Sequence, residues 1–173
     1  MNMTHYMQLL ADNQPWNLLL FMVVPVLLAE TVAVTELFVL LRRGAAGALA
    51  QINRAASILG GLYFVGVFVW LMAHAVLPLT RDGGWRGPAD VIAVGFYLAG
   101  VLPLGAMALI DLGLVGRRWT TEQRLARHAV CVAIFLVVAH IAMIFGMLDP
   151  TLMWNDPASI HAPQGGHAGH ATP

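Results

Sequence analysis

The sequence predicts an all-α membrane protein, a four-transmembrane-helix antiparallel bundle with both termini outside. Three observations predict it. Apolar residues make up 59 % of the 173 residues and charged residues only 10 %, with a mean hydropathy of +0.74; an average soluble domain carries about 25 % charge. The apolar residues fall into four continuous runs, each near the ~20 helical residues that cross a hydrocarbon core. The basic residues are nine arginines, with no lysine, and seven of the nine sit in two of the three connecting loops. A formal charge of zero and this hydropathy exclude a soluble globular domain, a disordered chain and an electrostatic nucleic-acid binder. The lipid bilayer is the expected surrounding.

The runs are 16–41, 55–79, 89–115 and 129–148. They are continuous rather than alternating, which selects helices over barrel strands. The first lacks a basic leader and a small-residue cleavage site, so it reads as a span and not as a cleaved signal peptide. Asp12 and Asn13 ahead of Pro15 are expected to cap it, and Arg42 and Arg43 close it. Pro78 and the Asp82-Gly83-Gly84 turn end the second. Pro88 and Asp90 open the third, and Arg117 and Arg118 end it. Asp149-Pro150 ends the fourth. Pro25 and Pro103 are expected to kink spans 1 and 3. Gly60, Gly61 and Gly66, with Gly95, Gly100 and Gly105, would permit close contact between spans 2 and 3.

Arginine sets the direction. Arg42, Arg43 and Arg54 follow span 1, and Arg117, Arg118, Arg124 and Arg127 follow span 3; only Arg81 and Arg86 lie between spans 2 and 3. The Arg-rich loops are therefore expected in the cytoplasm of a bacterium, the chain in its inner membrane, and both termini outside. Residues 1–150 form the transmembrane domain, and 151–173 read as a disordered, His-rich outer tail.

An ionisable side chain at the centre of a span costs about 2.5–3.5 kcal/mol on insertion scales, which makes it a functional candidate. Five stand out: Glu30, Glu36, His74, Asp111 and His140. From a rise of ~1.5 Å per residue, Glu30 and His140 share the midplane, Glu36 and Asp111 fall roughly 9–14 Å toward the cytoplasm, and His74 ~10 Å outward. Such a ladder is the pattern of a proton or cation path. Glu30 and Glu36 differ by roughly 120° around the helix, and no Glu-x-x-His pair is present, so a di-iron carboxylate centre is not expected.

Span 4 places His140, Met143 and Met147 on one helical face. Imidazole and thioether together suit a soft, copper-like transition metal, with Glu30 and His74 as further candidate ligands. The amino terminus offers Met3, His5 and Met7, and the tail offers His161, His167 and His170, as outer metal-gathering groups. The lone Cys131 permits no internal disulfide. No nucleophile elbow, HExxH, phosphate loop or dinucleotide fingerprint occurs, so no enzyme activity is expected.

The stretch His5-Tyr6-Met7, Asn13-Gln14-Pro15-Trp16-Asn17, Pro25 to Thr31 and Thr35-Glu36-Leu37 resembles a family of small, uncharacterised bacterial integral membrane proteins labelled as permeases. The resemblance implies an inner-membrane, transport-related protein and no finer role. Three functional readings follow. The first is a permease-like protein handling a transition-metal cation or protons through an intramembrane Glu/His site. The second is a b-haem electron-transfer subunit with His74 and His140 as axial ligands. The third is a non-catalytic accessory subunit. Four spans are few for a lone carrier, so a homo-oligomer or hetero-complex is expected.

Overall fold

The computed structural model describes residues 3–42 and 47–150. Among these the regular elements are all helical. A short helix, α1 (His5–Ala11), precedes four helices long and apolar enough to cross a membrane: α2 (Trp16–Leu41), α3 (Gly47–Arg81), α4 (Pro88–Asp111) and α5 (Thr121–Met147). The chain is a multi-pass membrane protein.

The four spans form a ring in chain order. α2 packs on α3, α3 on α4, and α4 on α5, while α5 returns to α2 through a lighter contact. Short connections between consecutive helices make them antiparallel neighbours. α4 is half buried along its apolar stretch, the others less than a third. Phe64, Leu104, Met107 and Val32 fill the middle of the bundle, where Phe64 meets Phe135 edge to face.

Three boundaries differ from the sequence expectation, each for a local reason. α5 starts eight residues before 129, because Thr120 and Gln123 close a capping box: each side chain takes the other's backbone N–H at 3.2 Å. α3 starts at Gly47, well before 55, because Asn53 turns inward: its amide donates to the Val32 carbonyl (3.1 Å) and the Thr35 hydroxyl (2.9 Å). Asp12 closes α1 instead of capping α2, and Asn17 donates to the Leu9 carbonyl (3.0 Å).

Ahead of Pro25, α2 changes helix type. Residues Leu19–Val23 form a π-helical turn, and Met72–Val76 form another ahead of Pro78. Proline has no amide hydrogen, so carbonyls one turn back lose a donor. The Leu20 and Phe21 carbonyls accept instead from the hydroxyls of Tyr63 (2.8 Å) and Tyr97 (2.6 Å).

Of the glycines in spans 2 and 3, Gly61 marks the tightest approach. A Cβ there would lie 2.4 Å from Ala108 Cβ and 2.7 Å from the Leu104 carbonyl oxygen. We expect Gly61→Ala to push α3 from α4 and cost about 1–3 kcal/mol, read as a lower unfolding midpoint in detergent. Gly66→Ala, with open space around it, is the control and should hold or raise that midpoint, since alanine favours helix.

Candidate functional site

At the Arg-rich end of the bundle every span contributes a side chain to one buried point. Glu36 comes from α2, Ser57 from α3, Asp111 from α4 and His128 from α5. The His128 ring stands between two carboxylates: Nδ1 lies 3.0 Å from Glu36 Oε2, and Nε2 lies 3.0 Å from Asp111 Oδ2. The Ser57 hydroxyl is 3.3 Å from Nε2. The side chains of His128 and Glu36 are each 5 % exposed and that of Asp111 is 14 % exposed. Asp111 is therefore the most exposed of the three.

This geometry constrains protons. A neutral imidazole has one N–H and one bare nitrogen, so it serves only one of two flanking carboxylates as donor; the imidazolium serves both. The contact at Nδ1 is close but off the hydrogen-bond line, and Nδ1 and Glu36 Oε1 are buried without an aligned partner among the described residues. Buried polar groups without partners are rare in folded proteins. The cluster thus has more proton and lone-pair capacity than it uses.

Local structure holds the three in place. Glu36 follows Thr35, whose hydroxyl donates to the Thr31 carbonyl (2.6 Å) and accepts from Asn53. Asp111 ends α4, where Arg124 donates to the Ile110 carbonyl (2.9 Å) and Arg117 to the Gly113 carbonyl (2.7 Å). Arg117 thus serves the helix end, and Asp111 turns to His128.

The opposite end carries a second polar cluster. Asp90, fully buried in the first turn of α4, accepts from the backbone N–H of His5 (2.6 Å), lies 2.5 Å from His5 Nδ1, and accepts from the Arg86 backbone N–H (3.3 Å). The Arg86 guanidinium reaches the Met3 carbonyl and the Gln8 side chain. Thr4 donates to the Gly146 carbonyl (2.6 Å), and Tyr6 sits against Gly146 and Tyr97. Burial pushes the Tyr6 phenol up to about 12. A cleft of about 320 Å³ opens beside α1, lined by His5, Tyr6, His74, Arg86 and Tyr97.

The sequence candidates divide accordingly. Glu36 and Asp111, expected at one depth, meet on one imidazole. Glu30, His74 and His140 all face outward. His74 stacks on Trp70 at 4.9 Å, and His140 Nδ1 lies 2.6 Å from the Leu136 carbonyl. His74 and His140 stand on diagonal helices, so the structure does not bring them to one haem within a chain. Glu30 and His140 do not share a depth. With Glu36 level with His128, Glu30 lies six residues toward the Asp90 end of the bundle, ~9 Å, and His140 twelve residues that way, ~18 Å. The expectation misjudged this because it started span 4 too late.

Met143 is half-buried and Met147 exposed on α5. Among the described residues no group of three His, Cys, Asp or Glu side chains has metal-holding geometry. The amino terminus is not a loose donor strand: His5 is held by Asp90, Met7 packs on the core, and Met3 stays exposed. His161, His167 and His170 lie outside the described residues. Sequence reasoning missed His128 by treating it as loop. The Thr120-x-x-Gln123 signature was the signal that would have placed it on a helix.

No curated protein and no solved structure matches this chain. Residues 1–162 match a single family profile, described as a family of unknown function. That match covers the bundle and both polar clusters. The chain belongs to the family of unknown function DUF6803.

Proposed function

We propose that this is a permease-like protein of the bacterial inner membrane that passes protons through the Glu36–His128–Asp111 site. The observation that carries the reading is one buried imidazole held between two carboxylates, with all four spans contributing. Asp111, the most exposed member, exchanges protons with water at the Arg-rich end, which the arginine bias places in the cytoplasm. His128 hands the proton across its ring, from Nε2 to Nδ1. Glu36 takes it on the bundle side through Oε2, the oxygen that faces Nδ1, and Oε1 is left to pass a proton on. Such a relay needs groups that take up and release protons within hydrogen-bond reach of one another, which imidazole and carboxylate side chains supply. The small number of spans favours work as an oligomer or within a complex.

The test is proton flux into liposomes with an entrapped pH dye, under a clamped membrane potential. The wild-type protein should dissipate an imposed pH step. His128→Gln and Glu36→Gln should slow it by about tenfold or more, since positioned acid–base groups contribute factors of that order or above. A folded His128→Gln protein that carries protons at the wild-type rate overturns the reading.

A further inference from the structure

Glu30 sits within two residues of the middle of α2, ~2 Å from its centre, and its side chain faces away from the bundle. Among the described residues it has no hydrogen-bond partner. His140 also faces outward, yet its Nδ1 is within reach of the Leu136 carbonyl. Glu30 is thus the carboxylate that the folded chain leaves bare at hydrocarbon depth.

Its neighbours on that face are ordered. Leu27, Glu30, Val34, Leu37 and Leu41 follow a 3-4-3-4 spacing, the pattern of a left-handed helix seam. Beyond Trp16 at its first position (62 %), the four apolar members are the most open large apolar residues of α2, at 56 %, 53 %, 55 % and 69 %; Leu20 is at 47 %, and Val26, Phe38 and Leu40 lie between 40 % and 43 %. A single polar residue in such a seam fixes register and partner number.

We infer that this face of α2 docks against α2 of a second copy of the chain, with the two Glu30 side chains hydrogen-bonded across a two-fold axis along the membrane normal. The axis itself places both carboxyls at one depth, which an unrelated partner would have to match by its own sequence. One carboxyl keeps its proton and donates to the other, so the pair is self-complementary. No lysine exists in the chain, and its arginines lie near the span ends or in the loops, so a second copy offers no cation at this depth, and carboxyl to carboxyl is the contact that closes. α3 exposes a comparable stripe, Leu59, Leu62 and Val69, that is purely apolar; lipid covers it without cost.

The experiment is oxidative cross-linking in native membranes, with Cys131→Ser as background. Leu27→Cys and Val34→Cys should give a band at twice the 18.6 kDa chain mass; Leu59→Cys and Val69→Cys, equally exposed, should not. In liposome dilution read by energy transfer, Glu30→Leu should weaken the dimer about tenfold, as expected for an interhelical polar contact in lipid, and Glu30→Gln should keep most of it. No band, a band of another mass, equal cross-linking from α3, or an unchanged dimer in Glu30→Leu each overturns the inference. These side chains face outward, so the variants keep the fold, and none touches the Glu36–His128–Asp111 site.

Discussion

His128→Ala is expected to destabilise the bundle more than any other single change at the Arg-rich end. Removing the imidazole leaves Glu36 buried with no side-chain donor, and Asp111 with only the Ser57 hydroxyl and the more distant Arg124 charge. Breaking a buried ion pair from one side costs about 3–5 kcal/mol, because the remaining charge is uncompensated. At about 2–4 °C per kcal/mol for a chain of this size, the midpoint should fall by roughly 6–20 °C in detergent. The sign of the rescue identifies the cause. Adding Glu36→Gln and Asp111→Asn to His128→Ala removes both stranded charges and should recover a good part of the loss, although it restores no contact. A midpoint within a degree or two of wild type for His128→Ala would mean that the ring carries no electrostatic role.

At the other end, Asp90→Ala should free α1. Three polar contacts converge on this one buried carboxylate, two from His5 and one from the Arg86 backbone. Their loss should lower the free energy of α1 opening by about 3–5 kcal/mol, or roughly 10²–10⁴ in the opening equilibrium. Hydrogen exchange reads this directly. Amides of residues 5–11 should lose protection by that factor while those in the middle of α3 and α5 keep theirs. Uniform loss through the whole bundle would instead make Asp90 part of the global core. Unchanged protection of α1 would assign its docking to Thr4 and Tyr6 alone.

The membrane class and the four spans were legible because they depend on composition summed over long windows, which no single residue overrides. Span 1 was read to its boundaries because arginines and a proline bracket it. Span 4 was not, since Arg124 and Arg127 lower its hydropathy while Thr120 and Gln123 start the helix by hydrogen bonding, a signal that hydropathy does not contain. That offset hid His128. Glu36 and Asp111 were found because charge inside a span is costly wherever it points. Which way it points was beyond reach: Glu30 and Glu36 look alike in sequence, and only helix packing turns one out and the other in. Asp90 was read as a helix opener, a role its position fits, but the clamp on His5 joins residues 85 apart.

The tyrosine hydroxyls on the Leu20 and Phe21 carbonyls bear on how the protein is made. α2 leaves the ribosome before α3 and α4, so Pro25 enters the bilayer with its upstream carbonyls still unmatched. Tyr63 arrives with the next span and Tyr97 with the one after. The polar bonds of the first span are therefore completed by segments synthesised after it. A chain halted between α3 and α4 would hold Tyr63 but not Tyr97, and the Phe21 carbonyl would lack its hydroxyl donor. The amino-terminal span thus depends on the third span for the last of its polar bonds.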